Sequence, residues 1–221
     1  MTVLIQSLLL ASGGMLSIGS ITIVILLLIS DQGWRNGLAY TLGYVSGYTI
    51  IGVSVVWLGY SVAENRSGEP GYFSSILFIT LGVLLLWLTL RNWWKPPSEN
   101  KEPPRLFAIL DKITPLKAFG FGALVTIINF KNLAIFLSAV SVSFLSDLPL
   151  PSKTIIVLLD VLVFCAPVIL LVLIYLFFPR QADKILNWIK QTLDTHNRTI
   201  GIVAPLIFGL IFVIRGIAGI L

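Results

Sequence analysis

Six apolar blocks separated by polar breaks run along the chain, near residues 3–29, 37–60, 72–90, 117–146, 154–178 and 199–221. Each supplies the ~20 residues that an α-helix needs to cross the hydrocarbon core of a bilayer. The pattern predicts an all-α polytopic membrane protein with six transmembrane helices. The first block starts at Val3 with no basic segment before it and runs well past a signal-peptide core, so it reads as a retained helix. Between the fifth and sixth blocks, Ile185, Trp188 and Ile189 recur at helical spacing, with Lys184, Lys190 and Asp194 elsewhere around the helix. Residues 180–198 therefore read as an amphipathic segment on the membrane surface.

Composition agrees with the pattern. Of 221 residues, 57% are hydrophobic and 11% charged. A soluble domain carries roughly a quarter charged residues, so a soluble globule is excluded. The net charge of +5 gains meaning from its distribution. Eleven Lys and Arg fall in the odd connections: Arg35, then Arg91, Lys95, Lys101, Arg105, Lys112 and Lys117, then Arg180, Lys184, Lys190 and Arg198. The even connections hold two, Arg66 and Lys153. The positive-inside rule places the odd loops in the cytoplasm and both termini outside, in a bacterial inner membrane or another internal membrane. The +5 thus reports topology, and nucleic-acid binding is set aside. A lone Cys165 and a single His196 leave no disulfide framework, metal cluster or protein-held cofactor. No GxxxxGK[ST] loop and no nucleophile–base pair occur, so neither ATP use nor an enzyme is expected.

Lys95-Pro96-Pro97 and Glu102-Pro103-Pro104 break helix and mark a linker over 91–116 between two halves, 1–90 and 117–221. Each half holds three spans. An odd number inverts the second half relative to the first, giving two inverted three-helix repeats. Aligning the first span of each half sets Ser17 opposite Asn129 and Ser20 opposite Asn132. Polar groups at such depth need protein partners or a water-filled cavity. Gly13, Gly14 and Gly19 weaken the helix at the same place. The first and fourth helices are therefore expected to be discontinuous and to offer Ser17, Ser20, Asn129, Lys131 and Asn132 to a substrate near the midplane. Close helix packing by the small residues is the alternative. Lys131 and Asp160 are each placed at similar depth by counting along straight helices, so they are candidates for a pair that couples an ion or proton. A purely structural ion pair remains open beside it. Gly43 and Gly47 form a GxxxG, extended upstream by Ala39, that marks a close helix contact within the chain or to a second copy. Arg215, Asp31 and His196 read as surface residues, Cys165 as core, and Pro167 and Pro205 as helix kinks.

Several of these segments together resemble a known family. They are Ser17-Ile18-Gly19-Ser20, Arg35-Asn36-Gly37-Leu38-Ala39-Tyr40, Asp111-Lys112-Ile113-Thr114-Pro115, Ala118-Phe119-Gly120-Phe121-Gly122, Asn129-Phe130-Lys131-Asn132 and Asn197-Arg198. They resemble the GAP family, the glycopeptidolipid and sulfolipid addressing proteins of the LysE transporter superfamily. The resemblance implies a LysE-like fold and a lipid or glycolipid cargo. In the family the fourth-span motif usually reads Asn-Pro-Lys-Asn and the first-span motif Ser-Pro. Here Phe130 and Ile18 stand in those proline positions, which makes a sharp break less obligatory.

The expected function is a secondary transporter that exports a lipid, glycolipid or small amphiphile by alternating access. Its partners are membrane lipids, its cargo, and a second copy or another membrane protein. Two other readings stay open: a non-transporting scaffold or assembly factor, and a small-solute or ion exporter of the LysE type. The charge asymmetry makes a direct prediction. In a Cys165→Ala background, Ser98→Cys reacts with an impermeant thiol reagent only from the cytoplasmic side and Ser67→Cys only from the opposite side.

Overall fold

The computed structural model describes residues 2–30, 33–64, 70–94 and 113–218. In chain order they form α1 (Thr2–Ala11), a 3-10 turn (Ser12–Leu16), α2 (Ile18–Ile29), α3 (Gly33–Glu64), α4 (Pro70–Trp94), α5 (Pro115–Ile128), α6 (Phe130–Phe144), α7 (Leu150–Phe177) and α8 (Pro179–Ala218). The described residues contain no strand. Residues 95–112 of the expected linker, Asp31 and the last three residues of the sixth block lie outside the described residues. So do the side chains of Lys190, Asp194, Arg198 and Arg215.

The first and fourth blocks are each interrupted. Thr2–Met15 and Ile18–Ile29 meet at 56°, and Pro115–Ile128 and Phe130–Phe144 meet at 75°. By length and apolarity α3 and α7 can cross a membrane, and each bent pair counted as one span brings the number to four. In α4 and α8 the qualifying apolar stretches are shorter, Gly82–Arg91 and Pro205–Ala218. The amphipathic segment 180–198 is continuous with the sixth block as one helix, α8, and does not stand apart from it. Ala182 and Leu186 are wholly buried with Ile189 packed beside them, while Trp188 is exposed. The face turned to protein therefore runs along 182, 186 and 189; of the stripe read from the sequence, Ile189 lies on it, Ile185 is half-buried and the Trp188 indole is outside.

Helices in a bilayer gain nothing from hiding apolar surface from lipid, so close backbone approach has to hold them together. Glycine provides it here at two seams. Gly43 lies so close to α5 that a Cβ there would stand 2.0 Å from the Phe119 carbonyl oxygen. Gly122 faces the Tyr40 carbonyl at 2.1 Å in the same sense, and Gly47 meets Thr126. The GxxxG contact is therefore made within the chain, between α3 and α5. Gly82 and Gly209 form the second seam, where α4 lies against α8.

The hairpin of α6 and α7 is pinned at its turn. Lys153 Nζ donates to the Phe144 carbonyl at 2.8 Å, satisfying a C-terminal carbonyl of α6 and fixing the register of the two helices. Trp57 Nε1 donates to Thr154 Oγ1 at 3.3 Å and ties α3 to the same end of α7. At the opposite end of α3, Asn36 Nδ2 donates to the Ile113 carbonyl at 3.0 Å and holds the lead-in of α5.

The seams separate two kinds of glycine. Gly43→Leu or Gly122→Leu overpacks a backbone contact and destabilises by about 1–3 kcal/mol or more. Gly19, which has nothing within 4 Å of an added Cβ, accepts alanine with a change under about 1 kcal/mol. Thermal unfolding of the purified protein in detergent measures the contrast.

Candidate functional site

The two helix breaks share one backbone geometry. Ser17 has φ −81° and ψ 68°, and Asn129 has φ −82° and ψ 74°. Both lie in the inverse γ-turn region, and each residue ends one helix segment and starts the next. The residues that follow, Ile18 and Phe130, occupy the first helical position, where proline is favoured because that amide has no intrahelical acceptor anyway. Any residue can stand there once the break is stabilised by other means. The absence of both prolines has therefore not straightened either helix.

Hydrogen bonding supplies those other means. At the second break, Asn129 N still donates to the Val125 carbonyl at 3.0 Å, and the Asn129 carbonyl accepts from Leu133 N at 2.9 Å. Asn129 Oδ1 caps the new helix by accepting from Asn132 N at 3.3 Å. At the first break, Ser17 N donates to the Gly14 carbonyl at 3.0 Å and Ile21 N to the Ser17 carbonyl at 3.1 Å. The Ser17 side chain does not cap its own helix. Its Oγ instead accepts from Asn132 Nδ2, so the breaks of the two halves are joined side chain to side chain. Asn132 thus binds both breaks, through its amide nitrogen to one and its side chain to the other.

A stripe of tyrosines on α3 closes over this junction. Tyr40, Tyr44 and Tyr48, spaced four apart, are all wholly buried. Tyr44 OH lies 3.5 Å from Ser17 Oγ. Tyr40 and Tyr44 lie within interaction range of Ser20, whose Oγ nonetheless makes no hydrogen bond among the described residues. Tyr48 packs edgewise on Tyr44 and against the rings of Phe136 and Phe164. The junction holds more hydrogen-bonding capacity than it uses. Ser20 Oγ, Asn132 Oδ1, Tyr40 OH and Tyr48 OH are buried without a partner among the described residues. Buried polar atoms are almost always satisfied, so four orphans around one junction point to a polar guest or to a second conformation. The tyrosines were readable as an i, i+4, i+8 stripe beside the glycine stripe, a signal the motif reading passed over.

The other expected site residues fall as follows. Gly13 is wedged against Phe208 and Ile135, and Gly14 against the Phe164 backbone. Neither has positive φ, since no described residue does. These two glycines serve close approach, whereas Gly19 faces open space. Lys131 sits in the first turn of α6, partly buried, and makes no ion pair among the described residues. Asp160, wholly buried on α7, accepts from Ser7 Oγ of α1 through Oδ1, while its Oδ2 has no partner among the described residues. The expected Lys131–Asp160 pair is not formed. With Lys153 set on Phe144, the antiparallel register puts Lys131 level with a residue six positions past Asp160, about 9 Å along the axis. Measured from the turn that the two helices share, Lys131 lies 13 residues before Phe144 and Asp160 seven after Lys153, an offset that counting from opposite ends of the two spans hides.

A family model described as SfLAP, Sap, sulfolipid-1-addressing protein, matches residues 8–218. No curated protein and no solved structure gives a significant match.

The junction predicts measurable coupling. Ser17→Ala and Asn132→Ala each leave a buried partner unsatisfied and destabilise by about 1–3 kcal/mol. The double variant falls short of the sum by about 0.5–3 kcal/mol in a double-mutant cycle of unfolding in mixed micelles.

Proposed function

Since this chain belongs to the Sap, sulfolipid-1-addressing protein family, we propose that it is a secondary transporter that moves a lipid, glycolipid or small amphiphile across a bacterial inner membrane by alternating access. The observation that carries this reading is the direct contact between the two breaks, Ser17 Oγ with Asn132 Nδ2, at matched backbone geometry. Broken helices that meet inside a bundle are the usual way a transporter offers polar groups to cargo at the midplane. The family's description refers to addressing of a sulfolipid, which supports cargo with an acyl body and a polar head. Ser17, Ser20, Asn129 and Asn132 contact the head, with Tyr40 and Tyr48 as further hydroxyl donors. Lys131 supplies positive charge beside them.

The six-span inverted repeat of LysE type draws support from how the elements pair. Exchanging the halves maps α1 onto α5, α2 onto α6, α3 onto α7 and α4 onto α8. Under that exchange the contact of α2 with α3 becomes that of α6 with α7, and α2 with α7 becomes α6 with α3. The contact of α3 with α5 becomes that of α7 with α1, and the α3–α7 and α4–α8 contacts map onto themselves. All of these contacts occur. Among the described residues, the α1–α6, α5–α6, α6–α8 and α7–α8 contacts are exceptions, having no comparable counterpart. The odd loops are cytoplasmic in this scheme, and both termini are outside.

A scaffold reading is favoured by one observation: Ser17, Ser20 and Asn132 are all buried, so the junction is closed in this conformation. Reconstitution separates the two. In liposomes holding a fluorescent sulfated glycolipid in one leaflet, the transporter exposes the label to an impermeant quencher, and Asn132→Ala slows this about tenfold, equivalent to ~1.4 kcal/mol, at equal insertion. Absence of lipid movement under every ion gradient, or an Asn132→Ala variant as fast as the parent, overturns the proposal.

A further inference from the structure

Asp160 is the one described carboxylate that is wholly buried. It lies ten residues into α7, about 15 Å along a helix of 28 residues, and so near the middle of its span. Among the described residues its only hydrogen-bond partner is neutral, the Ser7 hydroxyl on Oδ1, and Oδ2 has none. An ionised carboxylate in such a place needs a counter-charge, because desolvation without one is prohibitive.

The described residues around it offer no such charge. The elements packed on α7 are α1, the 3-10 turn, α2, α3, α6 and α8. Residues 2–29 carry no ionisable side chain. The described ionisable groups on α3 are Arg35, at its first turn, and the tyrosines 40, 44 and 48. Lys131 of α6 is offset as described above. On α8 they are Lys184 and His196. On α7 itself, Lys153 is two turns away with its head on the Phe144 carbonyl, and Cys165 and Tyr175 follow further along. None of these makes an ion pair with Asp160 among the described residues.

We infer that Asp160, with Ser7, forms a binding site for a monovalent cation, a proton or a sodium ion, which settles on the free Oδ2. Occupancy acts on α1 through the Ser7 bond. That helix leads directly into the turn whose Gly13 and Gly14 are wedged against α6, α7 and α8, and from there into Ser17 at the junction. One turn beyond Asp160, Phe164 presents the backbone on which Gly14 rests. Ion occupancy at Asp160 and the state of the junction are therefore linked through about ten residues of chain, Ser7 to Ser17, packed against α6, α7 and α8 at Gly13 and Gly14. This inference rests on the transport reading for its purpose and on geometry alone for the site.

Infrared difference spectroscopy of the full chain in lipid tests it without any cargo. The wild type shows a carboxylic-acid carbonyl band that Asp160→Asn lacks. If the cation is a proton, the band falls about tenfold across the two pH units centred on its midpoint, as a single-proton titration does. If it is sodium, sodium chloride suppresses the band at fixed pH and choline chloride does not. Ser7→Ala keeps the band and moves its titration, which a merely folded Asp160 variant cannot imitate. A band that ignores pH and salt alike, or no Asp160-dependent band at any pH in either salt, overturns the inference. Band titration without lipid movement overturns only the transport reading, and lipid movement with a flat spectrum overturns only this one.

Discussion

Inside a bilayer, a helix that stops must have its freed backbone groups satisfied by protein, since no water reaches them. That constraint governs this molecule at two places, Ser17 and Asn129, where helices run into one another with their backbones set at nearly the same angles. Asn129 meets it locally by capping Asn132. Ser17 cannot cap its own helix and turns its hydroxyl to Asn132 instead. The two halves of the chain are consequently held together by the residues that interrupt them, and neither break is a self-contained feature.

Packing around the junction follows from this. A break bends the chain by 56° in one half and 75° in the other, so the segments cannot pack as straight rods. Gly13 and Gly14 let the 3-10 turn settle against Phe208, Ile135 and the Phe164 backbone. Gly43, Gly47 and Gly122 draw α3 onto α5 closely enough for the tyrosine stripe to lie over Ser17 and Ser20. The consequence is a polar centre, sealed by aromatic rings, that retains unused donors and acceptors. Such a centre is poorly explained as packing alone, because apolar residues of similar volume would fill it without unsatisfied groups.

Much of this was legible in the sequence, and the reasons differ by feature. Apolar blocks placed the helices, because hydropathy follows directly from the solvent each segment meets. The breaks were legible because glycine, serine and asparagine at matching places in two halves have few other uses deep in a span. The loss of proline at Ile18 and Phe130 suggested straighter helices, and side-chain hydrogen bonds kept them bent. What sequence could not give was lateral position. Lys131 and Asp160 matched in counted depth, yet the register set where Lys153 meets the Phe144 carbonyl holds them about 9 Å apart along the axis, and the partner that reaches Asp160 from the side is Ser7 of α1. Segment 180–198 showed amphipathic spacing, but its spacing alone could not say whether the apolar side meets lipid or protein.

Lipid addressing and a sealed polar junction fit together if the junction opens during the cycle, exposing the orphan hydroxyls and amide oxygen to a headgroup while acyl chains stay in the bilayer. The contact of Ser17 with Asn132 is then the point that must part. A disulfide between Ser17→Cys and Asn132→Cys, formed in membranes in a Cys165→Ala background, tests this most directly. The account predicts that oxidation links the two residues within one chain and stops lipid movement until a reductant restores it. A linked protein that still moves lipid at the full rate, or a pair that never links, would contradict it.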